Sequence, residues 1–256
     1  MLKNLFMLLA AIGLILSAAS VNAEQTVILS NGEYPPFFSQ SLQNKGVGSH
    51  IIREAFALEG ISVKYEYMPW KRALTMAREG HYDGAVGFRT SPEREEIFFV
   101  SDPVLHIETV VFHRMGDRFD WKKLEDLASL KIGATNGYLI VDVLKPLVKQ
   151  HGGKLDVAPT DIINMKKLIA GRIDIFPCEK NVGLHLLKTQ FPPDQMQQIS
   201  FHPKPLLDNK LHVLFSRNKA DGSQLRESFN RGLTKLREKG SYAKHLEECY
   251  TQEAIP

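Results

Sequence analysis

The side chains best suited to chemistry in this chain stand in five short turns. They are Tyr34-Pro35-Pro36-Phe37, Pro69-Trp70-Lys71-Arg72, Gly87-Phe88-Arg89-Thr90, Asn136-Gly137-Tyr138 and Pro177-Cys178-Glu179. The set combines aromatic rings, arginine and one carboxylate. A guanidinium is a planar fork that matches a carboxylate. A glutamate accepts from an ammonium, and aromatic faces hold a flat side chain or a cation. These are recognition groups, and together they suit a small zwitterion.

The motifs of bond-making chemistry are missing. There is no G-x-S-x-G, no G-x-x-x-x-G-K-[ST] and no H-E-x-x-H. Gly46-Val47-Gly48 is only a fragment of a dinucleotide fingerprint. The 9 histidines are scattered, and none forms a close ligand pair at helical spacing. We therefore expect neither a metal nor a cofactor.

The elements that must carry these turns alternate along the chain. Thr26–Ser30 reads as a buried strand, and Val47, Ile51, Ala55 and Leu58 recur at helical spacing up to Gly60. Val63, Tyr65 and Tyr67 alternate with Lys64 and Glu66, the period of a strand. A helix through Arg72–Glu79 and a short strand Gly84–Val86 follow. The pattern restarts at Thr109–Phe112. Asp120 is placed to cap a short helix carrying Leu124 and Leu127. A strand at Lys131–Ala134 precedes a helix from about Tyr138. Thr160 or Asp161 caps a helix ended by Gly171, and strands follow at Ile173–Phe176 and His212–Phe215. Leu225, Phe229, Leu233 and Leu236 mark a long amphipathic helix, and Ser241 caps a last one. This order predicts an α/β fold with mostly parallel sheets, and two β-α-β-α-β series suggest two lobes. Ligands of such sheets sit at the carboxyl ends of strands, which is where the five turns fall.

Composition agrees with a folded globular chain: 256 residues, 43% hydrophobic and 24% charged, with a net charge of +3. The Lys/Arg runs are pairs only, so no nucleic-acid partner is expected. Residues 1–23 carry one basic residue, Lys3, an apolar run Leu5–Leu16 and a small-residue end at Val21-Asn22-Ala23. That is the layout of a secretory signal peptide, with cleavage expected after Ala23. The apolar run spans about 18 Å as a helix, short of the ~30 Å hydrocarbon core.

Several landmarks, in order along the chain, resemble the extracellular solute-binding proteins of family 3. These are periplasmic receptors, many of which bind polar amino acids for ABC transporters. The landmarks are Tyr34-Pro35-Pro36-Phe37, then Gly80-His81-Tyr82-Asp83-Gly84, then Thr90-Ser91-Pro92-Glu93-Arg94 with Phe99-Val100-Ser101-Asp102-Pro103. Ile132-Gly133 with Asn136-Gly137, Gly171-Arg172-Ile173-Asp174 and Gly240-Ser241-Tyr242 continue the series. The resemblance implies a periplasmic-binding-protein-like fold of type II. Two α/β lobes are joined by two crossover strands, with the ligand cleft between them. By analogy lobe one is 24–108 plus 209–256, and lobe two is 109–208. Cys178 and Cys249 then fall in different lobes, and both are expected to be thiols.

The same resemblance carries over site residues. Arg94 matches the arginine that holds the ligand α-carboxylate. Glu179 stands where the family usually has an aspartate for the α-ammonium. Tyr34 and Trp70 occupy aromatic wall positions in lobe one. Gly87, Arg89 and Tyr138 complete the expected ligand set. There are departures. Gly46-Val47-Gly48-Ser49-His50 lacks the acid that many members carry there. Arg89 sits where a small hydroxyl residue often contacts the ligand. With Lys71 and Arg72 it either favours a second anionic group on the ligand or is simply solvated.

The function implied is capture of a small zwitterionic or anionic solute, an amino acid or close relative, by hinge closure. The expected setting is the periplasm, with a monomeric protein serving an inner-membrane ABC permease. Two alternatives use the same scaffold. One is a cyclohexadienyl-dehydratase-like enzyme with Glu179 as general acid. The other is a ligand-sensing receptor without a transporter.

Overall fold

In the computed structural model, residues 25–253 are described, except 118 and 137. The expected signal peptide and its cleavage point, and Gly137 of the fourth turn, lie outside the described residues. Among the described residues no helix is long and apolar enough to cross a membrane.

The strands are β1 (Gln25–Asn31), β2 (Ile61–Tyr67), β3 (Gly84–Phe88), β4 (Phe98–Val100), β5 (Leu105–Arg114), β6 (Lys131–Thr135), β7 (Lys154–Ala158), β8 (Ile175–Glu179), β9 (Ile199–Phe201) and β10 (Leu207–Ser216). The helices are α1 (Val47–Ala57), α2 (Trp70–Arg78), α3 (Pro92–Ile97), α4 (Leu139–His151), α5 (Asp161–Ile169), α6 (Lys180–Gln190), α7 (Pro193–Met196), α8 (Gly222–Glu238) and α9 (Ser241–Glu253). A 3-10 turn, Leu124–Leu127, replaces the short helix expected there. Asp120 does not cap it: its carboxylate instead accepts from the Trp121 amide, and Asp126 accepts from the Lys122 and Lys123 amides.

The strand order is β2-β1-β3-β10-β5-β8-β6-β7, with β4 on β10 and β9 on β5. Pairs made by β1 and β6 are parallel, as the alternating pattern predicts. Pairs made by β5 and β10 are antiparallel, so the sheets are mixed. The reason is that β5 and β10 are the strands that cross between the lobes. Residues Leu207–Leu211 of β10 pair with Leu105–Thr109 of β5. Beyond that segment β10 joins β3 and β4 of the first lobe, and β5 joins β8 and β9 of the second.

Each lobe buries its sheet under helices. In the first lobe Phe56 of α1, Phe215 of β10 and Phe229 of α8 stack at centroid distances of 5.3–6.1 Å. All three are fully buried, and each large ring contributes on the order of 2–3 kcal/mol by removal from water. In the second lobe Ile132, Ile140, Leu144, Val148 and Ile175 fill one face, which pins α4 to the sheet. The last helix, α9, packs on α1 and α8 and also reaches α6 of the second lobe. Cys178 and Cys249 are both thiols.

Candidate functional site

The first wall grows from the loop after β1. Tyr34 anchors it: its amide donates to the Phe38 carbonyl at 2.7 Å, and its carbonyl accepts from the Phe37 and Phe38 amides. The turn buries Phe37 and Phe38 and leaves the Tyr34 ring partly open. Trp70, the first residue of α2, meets that ring edge-on at 6.4 Å. Its other neighbours are Phe88 at 5.4 Å and Phe38 at 6.4 Å, both edge-on. The indole N–H donates to the Glu33 carbonyl at 3.3 Å.

Gly87 makes this packing possible. Its φ is +80°, and a Cβ there would stand 2.9 Å from the Phe38 ring and 3.2 Å from Trp70. A side chain would be strained in the backbone and would push on both rings. Gly87 therefore serves the wall by its lack of a side chain.

Arg94 sits at the start of α3. Pro92 opens that helix and Ser91 caps it, accepting from the Arg94 amide at 3.3 Å. The guanidinium donates to the Arg89 carbonyl and lies over the Phe88 ring, 5.5 Å from its centroid. Burial holds the guanidinium below its ordinary pKa. Glu93 opposes that shift and Arg89 adds to it. Among the described residues Arg94 has no carboxylate within ion-pair distance. It is a half-buried cation held by a carbonyl and an aromatic face. Lys71 and Arg72, by contrast, are exposed.

The second wall is built from the turns after β6, β7 and β8. Tyr138 stands just before α4, in extended backbone. Its phenol donates to Asp161 Oδ2 at 3.0 Å, and the Thr135 hydroxyl donates to Asp161 Oδ1 at 2.5 Å. Asn164 in turn donates to the Thr135 oxygen at 3.0 Å. Asp161 is buried, which pushes its carboxyl up against the opposing hydrogen bonds from Thr135 and Tyr138. The fourth element is Glu179, the last residue of β8, which caps α6. Its Oε2 accepts from the Val182 amide at 2.7 Å and its Oε1 from the Asn181 side chain at 3.3 Å. Glu179 is only 3% exposed. Burial raises its pKa from 4.5 to about 7, although the bonds from Val182 and Asn181 pull it down.

The two walls meet. The Tyr34 and Tyr138 rings touch edge-on at 6.4 Å, which leaves no layer between them. The Tyr34 phenol is pushed well up by burial, then by Tyr138, Glu179, Cys178 and Asp161. The Tyr138 phenol is also raised, by burial and Asp161, and the positive charge of Arg89 works against that rise. The influences of Tyr138, Glu179, Cys178 and Asp161 on Tyr34, and of Arg89 on Tyr138, cross from one lobe to the other. The structure places Tyr34, Trp70, Gly87, Arg89 and Arg94 on the first wall, and Tyr34 meets Tyr138 of the second, where Glu179 also acts on it. Cationic groups lie on the first wall and carboxyl groups on the second.

Residues 26–252 match the profile of the bacterial extracellular solute-binding proteins, family 3. The chain belongs to that family. Among solved structures, this solute-binding protein is similar to an ancestral arginine-binding protein bound to arginine. The two share 21% identity over 88% of this chain and 98% of that one, with a TM-score of 0.71. It is also similar to an amino acid ABC transporter substrate-binding protein, AbpA, of Streptococcus pneumoniae bound to L-arginine, at 18% identity. That match covers 93% of this chain and 99% of the other, with a TM-score of 0.72. A histidine kinase sensor domain with similarity to periplasmic binding proteins matches at 19% identity over 88% of this chain and 96% of its own, with a TM-score of 0.71. Identities this low establish the two-lobed fold and no more. Comparison with curated proteins returned no match.

Of the two residues expected at the start of α5, Thr160 takes the cap position, and Asp161, the first helical residue, accepts from Thr135 and Tyr138 in the second wall; the sequence reading names neither Thr135 nor Asn164. The signal was obscured because β7 was not recognised. Once β7 lies parallel to β6, the turn after it must come beside Tyr138, and the Asn136 amide bonds the Ala158 carbonyl at 2.9 Å.

Proposed function

We propose that this family member captures a small zwitterionic solute, an amino acid or a close relative, between its lobes. The observation that carries this reading is the half-buried Arg94 guanidinium, which has no carboxylate partner among the described residues. On the same wall, Tyr34 lies close enough to Asp161 and Glu179 of the second lobe for both to raise its pKa. A ligand carboxylate would take the Arg94 fork, and its ammonium would meet the lobe-two carboxyls. The Tyr34, Trp70 and Tyr138 rings would enclose the remainder. Lobe one is 24–108 plus 209–256, lobe two is 109–208, and β5 and β10 form the hinge. The ligand stabilises the closed state by the contacts lobe two adds.

The protein is exported by a signal peptide cleaved after Ala23 and acts in the periplasm as a monomer without enzymatic activity. It hands its ligand to an inner-membrane ABC permease. The similarity to an ABC transporter substrate-binding protein supports that partner, and the similarity to a kinase sensor domain keeps a signalling receptor as its rival. Gene neighbourhood distinguishes the two.

A thermal-shift screen over amino acids and small carboxylates tests the binding. A ligand at a hundred times its Kd adds about 2.7 kcal/mol of apparent stability. Arg94→Ala should remove roughly 2–5 kcal/mol of binding with the fold kept. Undiminished affinity by calorimetry refutes the carboxylate role.

One observation favours an enzyme instead. Glu179, with a pKa near 7, is poised as a general acid. Against it, both its oxygens already accept hydrogen bonds from the start of α6. Turnover of a prephenate-like substrate would decide for the dehydratase.

A further inference from the structure

Away from the cleft, α9 brings one side chain against two of α1 that lie about 190 positions earlier in the chain. His50 and Glu54 are one turn apart on α1, and His245 comes from α9. His50 Nε2 lies 3.0 Å from Glu54 Oε1, and His245 Nε2 lies 2.9 Å from Glu54 Oε2. The imidazole rings are 4.2 Å apart, centroid to centroid. The donor atoms of all three lie within 4.8 Å of one another.

As an ion-pair cluster this arrangement is frustrated. A single carboxylate faces two imidazoles and balances only one imidazolium. A shared cation would satisfy both rings and the carboxylate at once.

We propose that His50, Glu54 and His245 bind a divalent transition-metal ion of the zinc type, which staples the C-terminal helix to α1. Two imidazole nitrogens and one carboxylate oxygen are a suitable donor set for zinc. Bonds of about 2.0–2.2 Å put ligand atoms of a tetrahedral site roughly 3.3 Å apart. The two nitrogens now reach different oxygens of Glu54, at 3.0 and 2.9 Å, and the ligand atoms lie within 4.8 Å of one another, so side-chain rotation brings them onto one ion. Each neutral ring binds the ion through Nε2 in the tautomer that carries its single proton on Nδ1. The His50 and His245 side chains are 20% and 13% exposed and Glu54 is 38% exposed, so an ion can reach them from solvent. The neighbouring Arg53 guanidinium is drawn off toward Asn44, which accepts from it at 3.0 Å. Because α9 also contacts α6, the staple would hold the helix that spans both lobes.

The test is calorimetric titration of the tag-free, chelator-treated mature protein with zinc chloride alone at pH 7.5. One equivalent should bind and raise the Tm. His50→Ala, His245→Ala and Glu54→Gln should each weaken binding by about a hundredfold or more, beyond the 10–100-fold typical of supporting residues. His81→Ala, at an exposed histidine paired with Glu79, should change nothing. Cobalt(II) should give the visible absorption of a low-coordinate site in the wild type and lose it in Glu54→Gln, whose near-isosteric side chain keeps the fold. Binding weaker than about 0.1 mM, or binding unaffected by these substitutions, overturns the proposal.

Discussion

Replacing Glu179 by Gln should change how the stability of the ligand-free protein depends on pH. The carboxyl is buried, and its pKa rises from 4.5 to about 7 on folding. A group whose folded pKa is raised binds its proton more tightly in the folded state. The stabilisation is therefore fully present below about pH 4.5 and is lost as pH rises through 7. At about 1.4 kcal/mol per pH unit, the gap between the two values amounts to roughly 3 kcal/mol. Gln has nearly the same shape, and its carbonyl can still accept from the Val182 amide. Asn181 can rotate its amide to face the new NH2, which adds a term independent of pH. All other groups are the same in both proteins and cancel in the difference. Urea unfolding followed by circular dichroism from pH 4.5 to 8.5 gives the two stability curves. The wild type should lose roughly 3 kcal/mol relative to Glu179→Gln, most of it between pH 5 and 7.5. Parallel curves would refute the claim that Glu179 is buried against its charge. A ligand ammonium beside Glu179 would pull the pKa back down. Affinity for a zwitterion should then rise with pH through about 7, with a proton released on binding.

Two further substitutions probe the walls. Tyr138→Phe removes the phenol that donates to buried Asp161 and should cost about 1–3 kcal/mol of stability, read by denaturant unfolding, while weakening ligand binding in calorimetry. Unchanged stability and affinity would separate Asp161 from the site. Gly87→Ala places a Cβ 2.9 Å from the Phe38 ring at a φ of +80°, so it should destabilise by about 1–3 kcal/mol and alter the near-ultraviolet signal of Trp70. A variant with an unchanged signal and Tm would show that the wall tolerates a side chain there.

Much of the fold was legible in residue order. Val63, Tyr65 and Tyr67 are the half-buried positions of β2 and Lys64 and Glu66 its exposed ones, and Gly60, at φ +72°, ends the first helix region where it was expected. The long helix marked by Leu225, Phe229, Leu233 and Leu236 buries those same residues. β4, β7 and β9 went unread because three to five residues carry too little periodicity to register. The antiparallel role of β5 and β10 was equally hidden. Strand direction depends on pairing with residues about a hundred positions away.

The chemistry of the site divides in the same way. The residue types in five turns already specified a cationic wall, an acidic wall and aromatic rings, because local sequence determines which groups stand at strand ends. Whether those groups are charged, paired or open was decided by the tertiary structure. Arg94 lacks an anion because no described carboxylate folds to within its reach, and Glu179 rises to about 7 because β8 and α6 bury it. Asp161 became part of the second wall only when β7 took its place beside β6. His50, Glu54 and His245 became one cluster only when α9 closed over α1. Proximity between distant segments and removal from water are properties of packing, and packing is what turns a list of side chains into a site.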